Sequence, residues 1–191
     1  MILLAWRLQM QTARQCQSWL TESEWQYSLS ITAKRQQEFC NGRAMVRQML
    51  KRRMLAEPHQ VAIDLPSTAA PGLHLPDSQL TLSISHSGSA LAVVISDSAV
   101  GLDIERQKPR DFTALSQPFP ALQSADSLQQ FYRCWTACEA YSKFSGRPLP
   151  QVLKQPLPED ISLFYLPLTD YVLCLCYRGD TPTIEQIGDP A

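Results

Sequence analysis

Apolar and charged residues alternate along Val100-Gly101-Leu102-Asp103-Ile104-Glu105. On an extended chain this puts Leu102 and Ile104 on one side and both carboxylates on the other, about 7 Å apart along the strand. The pattern predicts a strand whose apolar set enters a core while Asp103 and Glu105 project together. A different period runs from Leu128 to Phe144, where Leu128, Phe131, Tyr132, Trp135 and Cys138 recur at three- and four-residue steps and Gly146 and Pro148 follow. That spacing predicts an amphipathic helix with a glycine stop. A second helix is predicted between Lys34 and Met54, with Phe39, Val46, Met49 and Leu50 as its apolar positions. Met1 to Trp6 predicts a first strand. Leu80 to Ser96 predicts a hairpin with His86 in its turn region, and Ile161 to Tyr177 a further hairpin. Each half of the chain thus reads as helix then hairpin, with the junction near Asp97 to Val100, dividing the chain into residues 1–98 and 99–191. The proline-rich stretches Pro66 to Pro76, Pro109 to Pro120 and Pro148 to Pro158 predict surface loops.

The chemistry follows from three short segments. Asp103 and Glu105 repel each other unless a cation lies between them, and an oxygen-only ligand set suits a hard ion such as Mg²⁺. Trp135, Glu139 and Lys143 stand at i, i+4 and i+8, which places an acid and a lysine on one helical stripe beneath a tryptophan. An ordinary surface Glu–Lys pair has the same spacing. In Ser85-His86-Ser87-Gly88, the imidazole and neighbouring N–H groups suit phosphate oxygens. No Gly-x-Ser-x-Gly elbow surrounds these serines, so no nucleophilic serine is indicated. Arg43, Arg47 and Lys51 follow one another at i+4 steps and predict a basic helix face.

Composition narrows the classes of function. With 17 Lys and Arg against 18 Asp and Glu, the net charge of −1 argues against a general nucleic-acid binder. The apolar start is too short for a membrane span and is interrupted by Arg7, so a soluble, cytoplasmic protein without membrane partners is expected, and a monomer. Cys134 and Cys138 lie one helical turn apart and Cys174 and Cys176 alternate. Neither pair has Cys-x-x-Cys spacing, and buried, reduced cysteines are expected.

The order Ser-His-Ser, Gly-x-Asp-x-Glu and Trp-x-x-x-Glu-Ala-x-x-Lys, spread over roughly residues 33 to 147, resembles the 4′-phosphopantetheinyl transferases of the larger, Sfp-like class. The resemblance implies an α+β fold of two similar α/β halves related by pseudo-twofold symmetry, with the active site between them. It implies transfer of the phosphopantetheine arm of coenzyme A to a serine of an acyl or peptidyl carrier protein, in fatty-acid or secondary-metabolite synthesis, with Mg²⁺ as cofactor and 3′,5′-ADP released. Asp103, Glu105 and Glu139 would bind the metal. Ser85, His86 and Lys143 would hold phosphates of coenzyme A, and Glu139, His86 and Lys143 would act in catalysis. Arg47 is the first choice for the 3′-phosphate, with Arg43, Lys34 and Arg35 as further candidates. The chain departs from the family pattern at Cys138, where a lysine is common, and at Pro71-Gly72-Leu73-His74, where Gly-Lys-Pro is common. A third departure is at 118–123, where no Phe-Ser-x-x-Glu stands. These changes keep open a weakened relative that binds coenzyme A or a carrier protein without turnover. A metal-dependent phosphohydrolase sharing only the carboxylates is a third possibility.

Overall fold

Six strands pair into one sheet and three into another in the computed structural model, which describes residues 1–66, 72–75, 78–179 and 184–187. Helix and sheet are mixed, as an α+β fold requires. The chain divides into two units. One runs Met1–Ser98 and takes in the strand Ile184–Ile187; the other covers the described residues from Ala99 to Gly179.

The first unit opens with β1 (Ile2–Arg7), then α1 (Ala13–Cys16), α2 (Glu22–Leu29) and the long α3 (Ala33–Arg52). The short strands β2 (Ala62–Ile63) and β3 (Leu73–Leu75) precede the hairpin of β4 (Ser78–Ser87) and β5 (Ala90–Ser96). Gly88 takes φ 60° at the first turn position while Ser89 keeps a negative φ, the signature of a two-residue II′ hairpin. His86 consequently lies within β4, opposite Leu91, and not in the turn. α3 sets Met45, Val46, Met49 and Leu50 against Leu3, Leu91, Val93 and Ile95, which form the core of this unit.

The second unit runs β6 (Gly101–Arg106), α4 (Phe112–Ser116), α5 (Leu128–Ser145), α6 (Leu149–Val152), β7 (Ser162–Leu168) and β8 (Tyr171–Tyr177). Ser127 caps α5 by accepting from the Gln130 N–H, and Gly146 ends it at φ 68°. The aromatic face of α5 packs on Val172, Cys174 and Cys176. Each unit follows the order strand, helix, hairpin, and in each the first strand pairs antiparallel with the second hairpin arm, β1 with β5 and β6 with β8.

Several expectations change. Proline does not make every rich stretch a plain loop: α4 lies within 109–120, α6 within 148–158 and β3 within 66–76. Of that last stretch, residues 67–71 and 76–77 lie outside the described residues, and Pro71 with them. Residues 184–187, expected in the C-terminal half, form β9 (Ile184–Ile187), parallel to β1 in the first sheet. Among the described residues, no helix is long and apolar enough to cross a membrane.

Candidate functional site

Carboxylates gather in the second unit because β6 and α5 touch at a glycine. A Cβ on Gly101 would lie 2.0 Å from the Ala140 carbonyl oxygen and 2.5 Å from the Phe144 nitrogen, so only glycine lets the helix backbone come this close. Two residues further along β6, Asp103 is paired in register with Cys174 and turns toward the same α5. Oxygens of Asp103, Glu105 and Glu139 lie within 4.8 Å of one another. The Lys143 ammonium donates to Asp103 Oδ1 at 2.9 Å and to the Leu102 carbonyl at 2.9 Å, which ties the end of α5 to β6. Gly101→Ala is therefore expected to cost about 1–3 kcal/mol, as overpacking does, by forcing helix and strand apart. Urea titration of the two proteins measures it.

Burial is uneven across the cluster. Asp103 is 2 % exposed, whereas Glu105 and Glu139 are half-buried. Loss of solvent, and then the charge of Asp103, pushes the Glu139 carboxyl up to about 7, with Glu105 adding to the rise. Lys143 and a hydrogen bond to the Trp135 side chain oppose it. Three acids against one ammonium leave an all-oxygen set short of positive charge, which is the donor chemistry a hard divalent ion takes. The alternation read from sequence is real, but the carboxylate face is covered by α5 instead of open to water.

The first unit holds a second polar group. Glu38 on α3 is buried and lies 3.1 Å from Arg35, 3.7 Å from Lys34 and 3.4 Å from His86 Nδ1. Arg35 Nη1 approaches His86 Nε2 at 3.4 Å. Arg35, Glu38 and His86 line a cavity of about 370 Å³ whose other walls are Tyr27, Ile31, Phe39 and Pro66. A cavity lined by two aromatic rings, a guanidinium and an imidazole suits a planar, phosphate-bearing molecule. Sequence reasoning passed over Glu38, although Lys34-Arg35-x-x-Glu38 on a helix carries the i,i+3 and i,i+4 spacing that pairs such charges.

Arg43, Arg47 and Ser85, expected at phosphates, are not among the residues that line this cavity. Arg47 is 1 % exposed; its guanidinium donates to both carboxylate oxygens of Glu24, at 2.8 and 3.1 Å, and to the carbonyls of Pro58 and Val61. Arg43, also buried, sits 3.7 Å from Glu24, donates to the Asp64 carbonyl and stacks on Phe39 at 4.8 Å. Desolvation lowers its pKa. Only Lys51 of the basic stripe is exposed. Glu24 was signalled by the capping box Thr21-x-x-Glu24, whose carboxylate also accepts the Thr21 N–H. Ser85 and His86 are consecutive on β4, so their side chains leave opposite faces of the sheet. His86 shares the α3 side with Ile84, which lies against Gly42, and Ser85 does not. Cys138 faces the core of the second unit, and burial pushes its thiol up to about 12.

Residues 27–96 match the 4′-phosphopantetheinyl transferase N-terminal domain. They hold α3, the β4–β5 hairpin, His86 and Glu38. Over these residues the chain is similar to the 4′-phosphopantetheinyl transferases. A Haemophilus influenzae protein provisionally named a 4′-phosphopantetheinyl transferase is 40% identical over 82 residues, 37% of this chain and 35% of that relative. The 4′-phosphopantetheinyl transferase HetI of a Nostoc species is 33% identical over 121 residues, 56% of this chain and 51% of HetI. The chain thus spans about a third to a half of the length of these phosphopantetheinyl transferases.

Proposed function

We propose that the protein transfers the 4′-phosphopantetheine arm of coenzyme A to a serine hydroxyl of an acyl or peptidyl carrier protein and releases 3′,5′-ADP. The observation that carries this reading is the convergence of Asp103, Glu105 and Glu139 oxygens within 4.8 Å in a chain whose residues 27–96 match the N-terminal domain of these transferases. The Sfp-like, two-halved subclass belongs to the same proposal, supported by the strand, helix and hairpin order of both units.

A Mg²⁺ held by Asp103, Glu105 and Glu139 would neutralise the pyrophosphate that the serine oxygen must approach. The chain's own groups have the remaining tasks. Lys143 fixes Asp103 and brings a fixed positive charge to the cluster. Glu139 takes the serine proton as the oxygen–phosphorus bond forms and the bond to 3′,5′-ADP breaks. In the first unit, Lys34, Arg35 and His86 hold phosphate of coenzyme A, with the adenine against the aromatic walls of the cavity. This replaces Arg47 and Arg43 with Arg35 as the expected arginine contact, because exposed guanidinium is available there.

Intact mass spectrometry of an apo acyl carrier protein, incubated with the protein, coenzyme A and Mg²⁺, tests the proposal. A mass gain equal to the phosphopantetheine arm, abolished by EDTA, is expected. No gain across carriers of several pathways sinks it, and binding of coenzyme A without gain would favour the weakened relative. His86→Ala is expected to weaken coenzyme A binding by about tenfold in isothermal titration, the loss of one charge-assisted contact.

A further inference from the structure

The two ring nitrogens of His86 face groups of opposite character. Nδ1 lies 3.4 Å from a carboxylate oxygen of Glu38, and an ionised carboxylate only accepts. Nε2 lies 3.4 Å from Nη1 of Arg35, and a guanidinium only donates. Both neighbours assign the same neutral tautomer, with hydrogen on Nδ1 and a lone pair on Nε2. The guanidinium also donates to the other Glu38 oxygen at 3.1 Å, so acid, arginine and imidazole form one connected group.

Exposure divides that group. The Glu38 side chain is 5 % exposed, that of His86 34 % and that of Arg35 67 %. The carboxylate is therefore held out of water while guanidinium and imidazole reach it, and all three line the cavity. Glu38 and Lys34, 3.7 Å apart, are the other charges that α3 brings here. β5 sets Leu91 opposite His86, and α2 supplies Tyr27 to the cavity wall. A lone pair on Nε2 repels a phosphate oxygen, whereas an Nε2–H donates to it. His86 can therefore hold phosphate only after taking a proton at Nε2. The imidazolium so formed has an anion at each N–H, Glu38 at Nδ1 and the phosphate at Nε2.

We propose that Glu38 is a positioning residue for His86: it fixes hydrogen on Nδ1 and supplies the charge against which Nε2 takes up a proton as a phosphate-bearing ligand enters the cavity. Binding there is then coupled to uptake of a proton. That a phosphate enters this cavity rests on the function proposed above.

Glu38→Gln keeps the size of the side chain and an accepting oxygen while removing the charge. Calorimetric titration with 3′,5′-ADP at pH 7.5, in buffers of different ionisation enthalpy, counts the protons bound. The ligand's phosphates are almost fully ionised at that pH and an ordinary imidazole is mostly neutral. The wild type is expected to take up about half a proton or more, so that Kd rises about three- to tenfold per pH unit between pH 7 and 8 by linkage. Glu38→Gln should bind about tenfold more weakly, take up almost no proton and show a flat pH profile. Glu38→Asp, which restores the charge, should recover part of the uptake. In the ligand-free wild type, two-bond proton–nitrogen correlations should find hydrogen on Nδ1 of His86 and none on Nε2. This measurement and the wild-type proton count need no variant, so a misfolded Glu38→Gln does not shield the proposal. Hydrogen on Nε2 in the free protein overturns it. So does an unchanged Kd and proton count in Glu38→Gln, or an uptake that persists in His86→Gln and so belongs to another group. A wild type that does not bind 3′,5′-ADP overturns it as well. Each of these leaves the transfer function standing where a carrier protein gains mass. The expected tautomer, uptake and loss in Glu38→Gln, with no mass gain on any carrier, support the positioning role and sink the transfer function.

Discussion

Glu139→Gln is expected to lower transfer to a carrier protein by roughly a hundred- to a thousandfold, the scale of losing one preorganised charged group at a reacting centre. Amide oxygen is a poorer ligand than carboxylate, and glutamine cannot take the serine proton. The same substitution is expected to make the metal-free protein more stable at pH 8. In the wild type, Glu139 ionises in the folded state at about 7, above its ordinary 4.5, because it is desolvated and faces Asp103 and Glu105. A carboxylate shifted upward lowers stability, with no penalty below its unfolded pKa and the full penalty once pH has risen through the folded one. Metal-free wild type should therefore lose stability between about pH 4.5 and 7, on the order of 1–2 kcal/mol after solvent screening, and the variant should not. Mg²⁺ should raise the wild-type melting temperature at pH 8 and leave the variant's nearly unchanged. Thermal melts over pH 5–8, with and without Mg²⁺, check both signs. A wild type indifferent to Mg²⁺ would remove the metal assignment without reference to activity.

Arg47→Ala is expected to destabilise the protein by about 3–5 kcal/mol, the scale of leaving one member of a buried ion pair uncompensated. Arg47 satisfies both oxygens of Glu24 and two carbonyls, those of Pro58 and Val61, so its loss strands several buried acceptors together. Glu24→Gln in the Arg47→Met background should recover part of the loss, because the stranded charge is then gone. Urea denaturation of the single and double variants measures the coupling. Were Arg47 a phosphate ligand, its removal would leave stability unchanged and weaken coenzyme A binding. The ion pair predicts the reverse order of effects.

Local pattern was a sound guide where a single element carries its own signal. The 3.6-residue recurrence from Leu128 and the glycine after it describe one helix, and α5 runs Leu128–Ser145. Alternation along β6 likewise placed Asp103 and Glu105 on one face. The stripe of Arg43, Arg47 and Lys51 misled, because equal spacing describes a helix face in water and one laid against a neighbour. What decides between them is Glu24, 23 residues away from Arg47 and supplied by another helix. The opposite faces of Ser85 and His86 were legible from the period of a strand, once the residues were assigned to the strand and not to its turn.

Residue spacing was enough for the mixed helix and sheet, for the order of β1, α3, the β4–β5 hairpin, β6, α5 and the β7–β8 hairpin, and for the presence of three acids and a lysine on one strand and one helix. Those properties follow from side-chain period, caps and turn residues, which act over a few neighbours. Tertiary structure alone decided that Gly101 lets α5 approach β6 closely enough to bring those acids within 4.8 Å. It alone turned Arg43 and Arg47 from a basic surface into buried partners of Glu24 and brought His86 beside Glu38 and Arg35. Distances between residues far apart in the chain depend on how elements pack, and packing is set by shape and volume across elements, which no local spacing records.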